Sequence, residues 1–242
     1  MRRPTLLYAI LLASMLPQTM HAQVGQARSD VAIGVNGGML LNQVSFQPTI
    51  KQNWKMGETF GITLRYTCEK YFSAICAITA EVDYANMGWK ELIEVDGIDD
   101  TYSRDMRYIQ VPIMARLGWG RERRGGQFFL QAGPQLGYCF SETEHFSDPW
   151  HGDQSRYRPN GVIQQYNKSI ENKFEYGIAG GAGLEWSGKF GHLMLDARYF
   201  FSLSDIFKNG KKDDFGRSAN GPILIRLTYL INVKKTKGDH IK

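Results

Sequence analysis

The side chains best suited to chemistry crowd one polar stretch, where Glu142, Glu144, His145, Asp148, His151 and Asp153 follow Ser141 and surround Ser147. Imidazoles beside carboxylates can relay protons or hold a metal ion, and a serine within reach of such a pair can act as a nucleophile. Their spacing fits none of the patterns that bring ligands onto one face of an element. Two histidines in a polar segment this long need no chemical explanation. The sequence therefore assigns no catalytic residue, no metal ligand and no cofactor.

Three cysteines, Cys68, Cys76 and Cys139, are too few for a disulfide framework or a zinc site. A single bridge stays open. If residues 69 to 75 turn a hairpin, Cys68 and Cys76 fall directly opposite on one face, and an exported chain meets an oxidising compartment. The alternative is two reduced, apolar side chains near a strand end.

A third set of ionisable residues is ordered. Arg65, Arg116, Arg198 and Arg226, with Glu81, Asp83, Glu185 and Asp196, occupy alternate positions of extended segments, on the face that also carries Gly, Ala, Ser and Thr. Enclosed in a membrane, such charges could form a proton or ion pathway. The preferred reading is that they are the self-neutralising filling of a narrow barrel.

The elements that must position these groups are strands. Tyr108 to Trp119 shows it best: Ile109, Val111, Ile113, Ala115, Leu117 and Trp119 alternate with Tyr108, Gln110, Pro112, Met114 and Arg116. Seven more segments repeat the period, near 31–41, 60–67, 78–84, 128–140, 174–186, 192–203 and 223–233. Pro112 and Pro134 fall inside strands, where proline is unusual. Between them, connections at 42–56, 88–103, 141–172 and 205–220 are long and polar, whereas those near 70–72, 120–125 and 187–190 are short.

At the N-terminus, Arg2 and Arg3 precede an apolar core from Leu6 to Leu16 and a small residue at Ala22, the pattern of a secretory leader over residues 1–22. Residues 23–242 then read as one β domain. Without the leader the formal charge falls from +5 to about +3, too little to imply a nucleic-acid partner.

Together these features predict an all-β, eight-stranded antiparallel up-and-down barrel in the outer membrane. With long external loops and short periplasmic turns, an even strand number puts both termini in the periplasm. Volume decides which face is inside. The interior of an eight-stranded barrel is just wide enough for side chains to fill it, so the small, charged face goes inward. Ile109, Val111, Ile113, Leu117, Leu195, Ile225 and Leu227 then face lipid, and aromatics such as Tyr66, Tyr138 and Trp186 lie at its borders. The turn holding Arg121, Arg123 and Arg124 is the most basic periplasmic patch.

Six segments carry a family resemblance: VSFQPTIKQ at Val44 to Gln52, RYTCEK at Arg65 to Lys70, MGWKE at Met87 to Glu91, YIQVPIMARL at Tyr108 to Leu117, GPQLGY at Gly133 to Tyr138, and EYGIAGGAGLEW at Glu175 to Trp186. In order and spacing they resemble the PorT-like outer-membrane β-barrels over nearly the whole mature chain. The resemblance implies a barrel without enzymatic activity or cofactor. The family's namesake is associated with export of cell-surface and secreted proteases through the type IX secretion system, and other members have no assigned role. The tail Lys234 to Lys242 lacks the terminal aromatic that many outer-membrane barrels carry. Two functions are thus expected: assistance to secretion or maturation of surface proteins, or a stand-alone surface barrel (adhesin, antigen or envelope stabiliser) with external binding loops. The expected partners are outer-membrane lipid and other envelope proteins, with the oligomeric state open.

Overall fold

The computed structural model of the chain describes residues 26–71, 73–94, 99–121, 124–152, 158 and 160–235. The expected leader and the end of the tail lie outside the described residues. Within them the regular structure is all β: β1 (Gln26–Asn42), β2 (Val44–Gln47), β3 (Gln52–Asn53), β4 (Lys55–Tyr71), β5 (Ala74–Glu91), β6 (Tyr102–Gly120), β7 (Gly125–Phe146), β8 (Phe174–Ser187), β9 (His192–Ser202), β10 (Arg217–Asn220) and β11 (Ile223–Lys234). Eight of these close a ring in the order β1, β4, β5, β6, β7, β8, β9, β11 and back to β1, every pair antiparallel. Closure satisfies the backbone without leaving an edge, which is what a strand-built membrane crossing requires.

Alternation sets the two faces. On β9 burial switches at every residue from His192 to Ser202. Ile109, Ile113 and Leu117 are between 44% and 48% exposed, with Val111 half-buried, and Leu195, Ile225 and Leu227 are about half exposed. A soluble fold would not leave such a belt bare; it is the surface that hydrocarbon covers. Replacing Ile113 with arginine should cost about 2–4 kcal/mol near the mid-plane. Urea unfolding of the barrel in vesicles reads this cost, and an unchanged midpoint would remove residue 113 from the lipid face.

The inward face is less uniformly small than volume alone suggests. Phe129, Met114, Met194, Phe200 and Leu230 also point in and are buried. The glycines of β8 make room for the rings: a Cβ on Gly183 would lie 2.5 Å from Phe129, and one on Gly177 2.7 Å from Phe200. Large and small residues thus interlock across the lumen.

Long connections (43–54, 92–101, 147–173 and 203–222) share one end of the barrel, and short ones (72–73, 121–124 and 188–191) the other. The strands outrun their expected limits on the long-loop side. There β5 continues to Glu91, β6 begins at Tyr102 and β7 runs to Phe146. The reason is a reversal of sense. Beyond the lipid belt the inward positions Met87, Trp89, Tyr102 and Met106 become apolar, while the outward Lys90, Asp105 and Arg107 become polar.

The hairpin of β4 and β5 also corrects the register expected for the cysteines. A bulge between Thr67 and Glu69 takes Cys68 out of the ladder, so Cys76 pairs with Glu69 instead. Cys68 and Cys76 are accordingly unbridged, as is Cys139.

Candidate functional site

Two layers fill the barrel from the short-turn end upward. In the first, Glu185 on β8 receives Arg65 of β4 at 2.8 Å and Arg116 of β6. His192 Nδ1 lies 2.6 Å from the other carboxylate oxygen. The Arg116 guanidinium is 3.7 Å from the centre of the Phe129 ring, and the Met194 sulfur fills the space beside both arginines. At the barrel mouth below them a pocket of about 50 Å³ remains, enough for a few waters.

In the second layer Glu81 of β5 is the hub. Arg198 donates to both its oxygens at 2.8 and 2.9 Å, and Arg226 does so at 2.6 and 2.8 Å. Arg226 also reaches Asp83 at 3.6 Å and Asp196 at 3.4 Å, and Arg198 Nε donates to Asp196 at 2.8 Å. Asn36 donates to Asp83 at 2.8 Å. Four bases and four acids from six strands are thus brought together in the lumen, all buried. Fork-shaped guanidiniums on carboxylates offset much of the desolvation that an unpaired charge would suffer. Each of the eight charges has an opposite charge within 4.0 Å.

Above the charges lies a core that sequence reading missed. Met87, Trp89, Tyr102, Met106 and Tyr108 from the strands pack with Phe46, Ile170, Phe207 and Phe215 from the long connections. Ring centres are 5.1 Å apart for Phe46 and Trp89, 5.3 Å for Phe207 and Phe215, and 4.8 Å for Tyr102 and Tyr166. The first and last long connections pair as a two-stranded ribbon, β2 with β10, across this mouth. The loops therefore form a cap.

Two buried arginines rivet it. Arg104 pairs with Glu144 and, at 3.4 Å, with Glu142, donates to the Lys168 carbonyl at 2.7 Å, and lies 5.2 Å from the Trp89 ring centre. Arg158 binds Asp100 at 2.8 Å and the Tyr166 hydroxyl at 2.8 Å, and stacks 4.6 Å from the Trp150 ring centre. Burial pushes the Asp100 carboxyl up, but hydrogen bonds from Arg158 and His151 outweigh it and hold the group below its ordinary range. For a lowered carboxylate, the stabilisation is full above the unfolded value and is lost as pH falls through the native one. Protease cleavage within 147–173 should therefore rise on acidification through that range. Asp100→Asn should weaken the cap by about 2 kcal/mol and flatten this response. A pH profile identical to the parent's would remove Asp100 from the clamp.

The residues that suggested chemistry do not converge. His145 Nε2 contacts Asp105 at 2.9 Å, where Lys55 also binds, whereas His151 Nδ1 contacts Asp100 at 3.0 Å. Ser147 donates to the Pro149 carbonyl at 3.2 Å, and Asp148 is exposed. Among the described residues no group of three or more His, Cys, Asp or Glu is arranged to hold a metal. Asp153 and Arg123 lie outside the described residues, and Arg121 and Arg124 are exposed.

The family described as "outer membrane protein beta-barrel domain" matches residues 21–208. Among solved structures, the attachment invasion locus protein Ail of Yersinia pestis is 13% identical, covering 85% of this chain and 99% of its own, with a TM-score of 0.35. Neisserial surface protein A is 13% identical over 82% of this chain and 97% of its own, with a TM-score of 0.41. The outer membrane protein OprG of Pseudomonas aeruginosa is 12% identical over 86% and 95%, with a TM-score of 0.41. None of the curated proteins compared with the chain matches it.

Proposed function

The chain belongs to the outer-membrane protein β-barrel domain family, and from that premise we propose that it is a non-enzymatic surface barrel that displays its cap as a rigid binding platform outside the cell. The observation that carries this reading is the condensation of four long connections onto one aromatic core above a salt-bridged lumen. Loops held by a rigid scaffold are where binding residues concentrate, and ordering them beforehand lowers the entropic cost of association. Both termini lie in the periplasm in this reading, beside the short turns.

The resemblance of the six quoted segments to PorT-like barrels favours a second reading, in which the protein assists export or maturation of surface proteins. The two separate in the native host. Deletion of the gene should leave secreted cargo normally processed, and a barrel whose 147–173 and 203–222 loops are cut to short turns should fold but lose surface binding. Accumulation of unprocessed cargo in the periplasm, reversed by complementation, would transfer the chain to the secretion reading. In planar bilayers the purified protein should give almost no conductance.

A further inference from the structure

The barrel wall carries a groove that none of the functions above uses. Pairing of β1 with β11 ends at Leu41 and Ile223, and resumes at Val44 and Asn220 in the separate β2–β10 ribbon. The break at Gln43 and residues 221–222 lets the ribbon fold over the barrel mouth, with Val44 and Phe46 buried in the cap. Outside the bend this leaves a groove of about 360 Å³, lined by Ser45, Thr49, Tyr199, Phe201, Arg217 and Gly221. Tyr199 and Phe201 belong to the lipid-facing row of β9 and are 49% and 44% exposed. The groove is therefore continuous with the surface that hydrocarbon covers.

Arg217 gives the groove its chemistry. Among the described residues each of the six buried arginines, Arg65, Arg104, Arg116, Arg158, Arg198 and Arg226, has a carboxylate partner. Arg217 is half-buried, with its guanidinium 5.4 Å from the Phe201 ring centre, and no carboxylate among the described residues pairs with it. A cation lying against an aromatic ring at the edge of an apolar belt is placed to meet a headgroup, its stem along the hydrocarbon and its charge toward water.

The geometry points to a lipid site: one phosphorylated lipid of the leaflet on the long-loop side, its phosphate on Arg217 and an acyl chain along Phe201 and Tyr199. Identifying that leaflet as the outer one rests on the orientation proposed above. A guanidinium recognises phosphate through paired N–H donors, and the neighbouring Ser45 and Thr49 hydroxyls can supply further donors.

The test uses the full barrel in nanodiscs of an uncharged, phosphate-free glycolipid doped with lipid A, exchanged into detergent and examined by native mass spectrometry. The parent should retain a single lipid A, and dephosphorylated lipid A should be retained about tenfold less. Arg217→Gln should lower retention about tenfold. Ser45→Trp, which fills the groove and leaves the charge, should lower it similarly, with heat-shifted electrophoretic migration confirming that both variants fold. Parent-like retention in both variants overturns the site. Displacement of lipid A by millimolar inorganic phosphate also overturns it, since the groove would then be selecting a free anion. Both leaflets of the nanodisc carry lipid A, so this result is independent of orientation. Protease cleavage of an epitope placed at 210–212 on intact cells tests the orientation separately.

Discussion

Glu81→Ala should destabilise the barrel by about 3–5 kcal/mol, because the variant leaves two buried guanidiniums without their shared acceptor. Arg198 and Arg226 each place two N–H groups on Glu81, and all three side chains are essentially inaccessible. Asp196 and Asp83 compensate only in part, since they already serve the same arginines at 2.8 to 3.6 Å. Glu81→Gln keeps the shape and removes the charge, so it should fall between the parent and the alanine variant. The paired change Glu81→Met with Arg226→Met, which removes one charge of each sign, should recover part of the loss. Urea titration in vesicles, followed by the electrophoretic heat shift, measures all four proteins. A Glu81→Ala midpoint equal to the parent's would show that the lumen is hydrated enough to solvate both arginines.

Trp89→Ala should cost a similar amount, about 3–5 kcal/mol for a fully buried indole, but at the other end of the molecule. Trp89 is 0% exposed and touches rings from three directions, with centres of Phe46 at 5.1 Å, Tyr102 at 6.2 Å and Phe207 at 6.5 Å. It also supports Arg104, which gathers Glu142, Glu144 and the Lys168 carbonyl. The loss should fall on the cap: protease cuts within 147–173 and 203–222 should increase while the heat shift of the barrel persists. Should both fail at one denaturant concentration, cap and barrel would be a single cooperative unit.

Period-two alternation was legible wherever lipid demands it. Ile109, Ile113 and Leu117 could be placed outward because hydrocarbon accepts nothing else, and Arg65, Arg116, Arg198 and Arg226 shared the opposite parity for the same reason. The antiparallel order followed from the alternation of long and short connections. The cap was not legible, although its signal was present. Along Met87 to Lys90 and Tyr102 to Tyr108 the alternation continues with its sense inverted, apolar inward except at Arg104 and polar outward at Lys90, Asp105 and Arg107, as in a soluble β protein. Read with one fixed sense, the pattern dissolves into loop at the point where a strand leaves the membrane. Phe46, Phe207 and Phe215 lie far apart in a polar background, and only the fold gathers them. The cysteine register failed for another reason: a one-residue bulge near Cys68 leaves no mark in residue types, yet shifts every partner beyond it.

The seam between β1 and β11 has a consequence for the order of assembly. Hairpins such as β4–β5 and β8–β9 close across a few residues and can form early, whereas the seam joins residues as distant as Gly37 and Leu227. Closing so long a loop is entropically costly and comes late. The β2–β10 ribbon continues that seam, with Val44 opposite Asn220 just beyond the pair of Leu41 and Ile223. The ribbon is as non-local as the seam it extends, so its pairing belongs with the late, slow closure and not with the early hairpins.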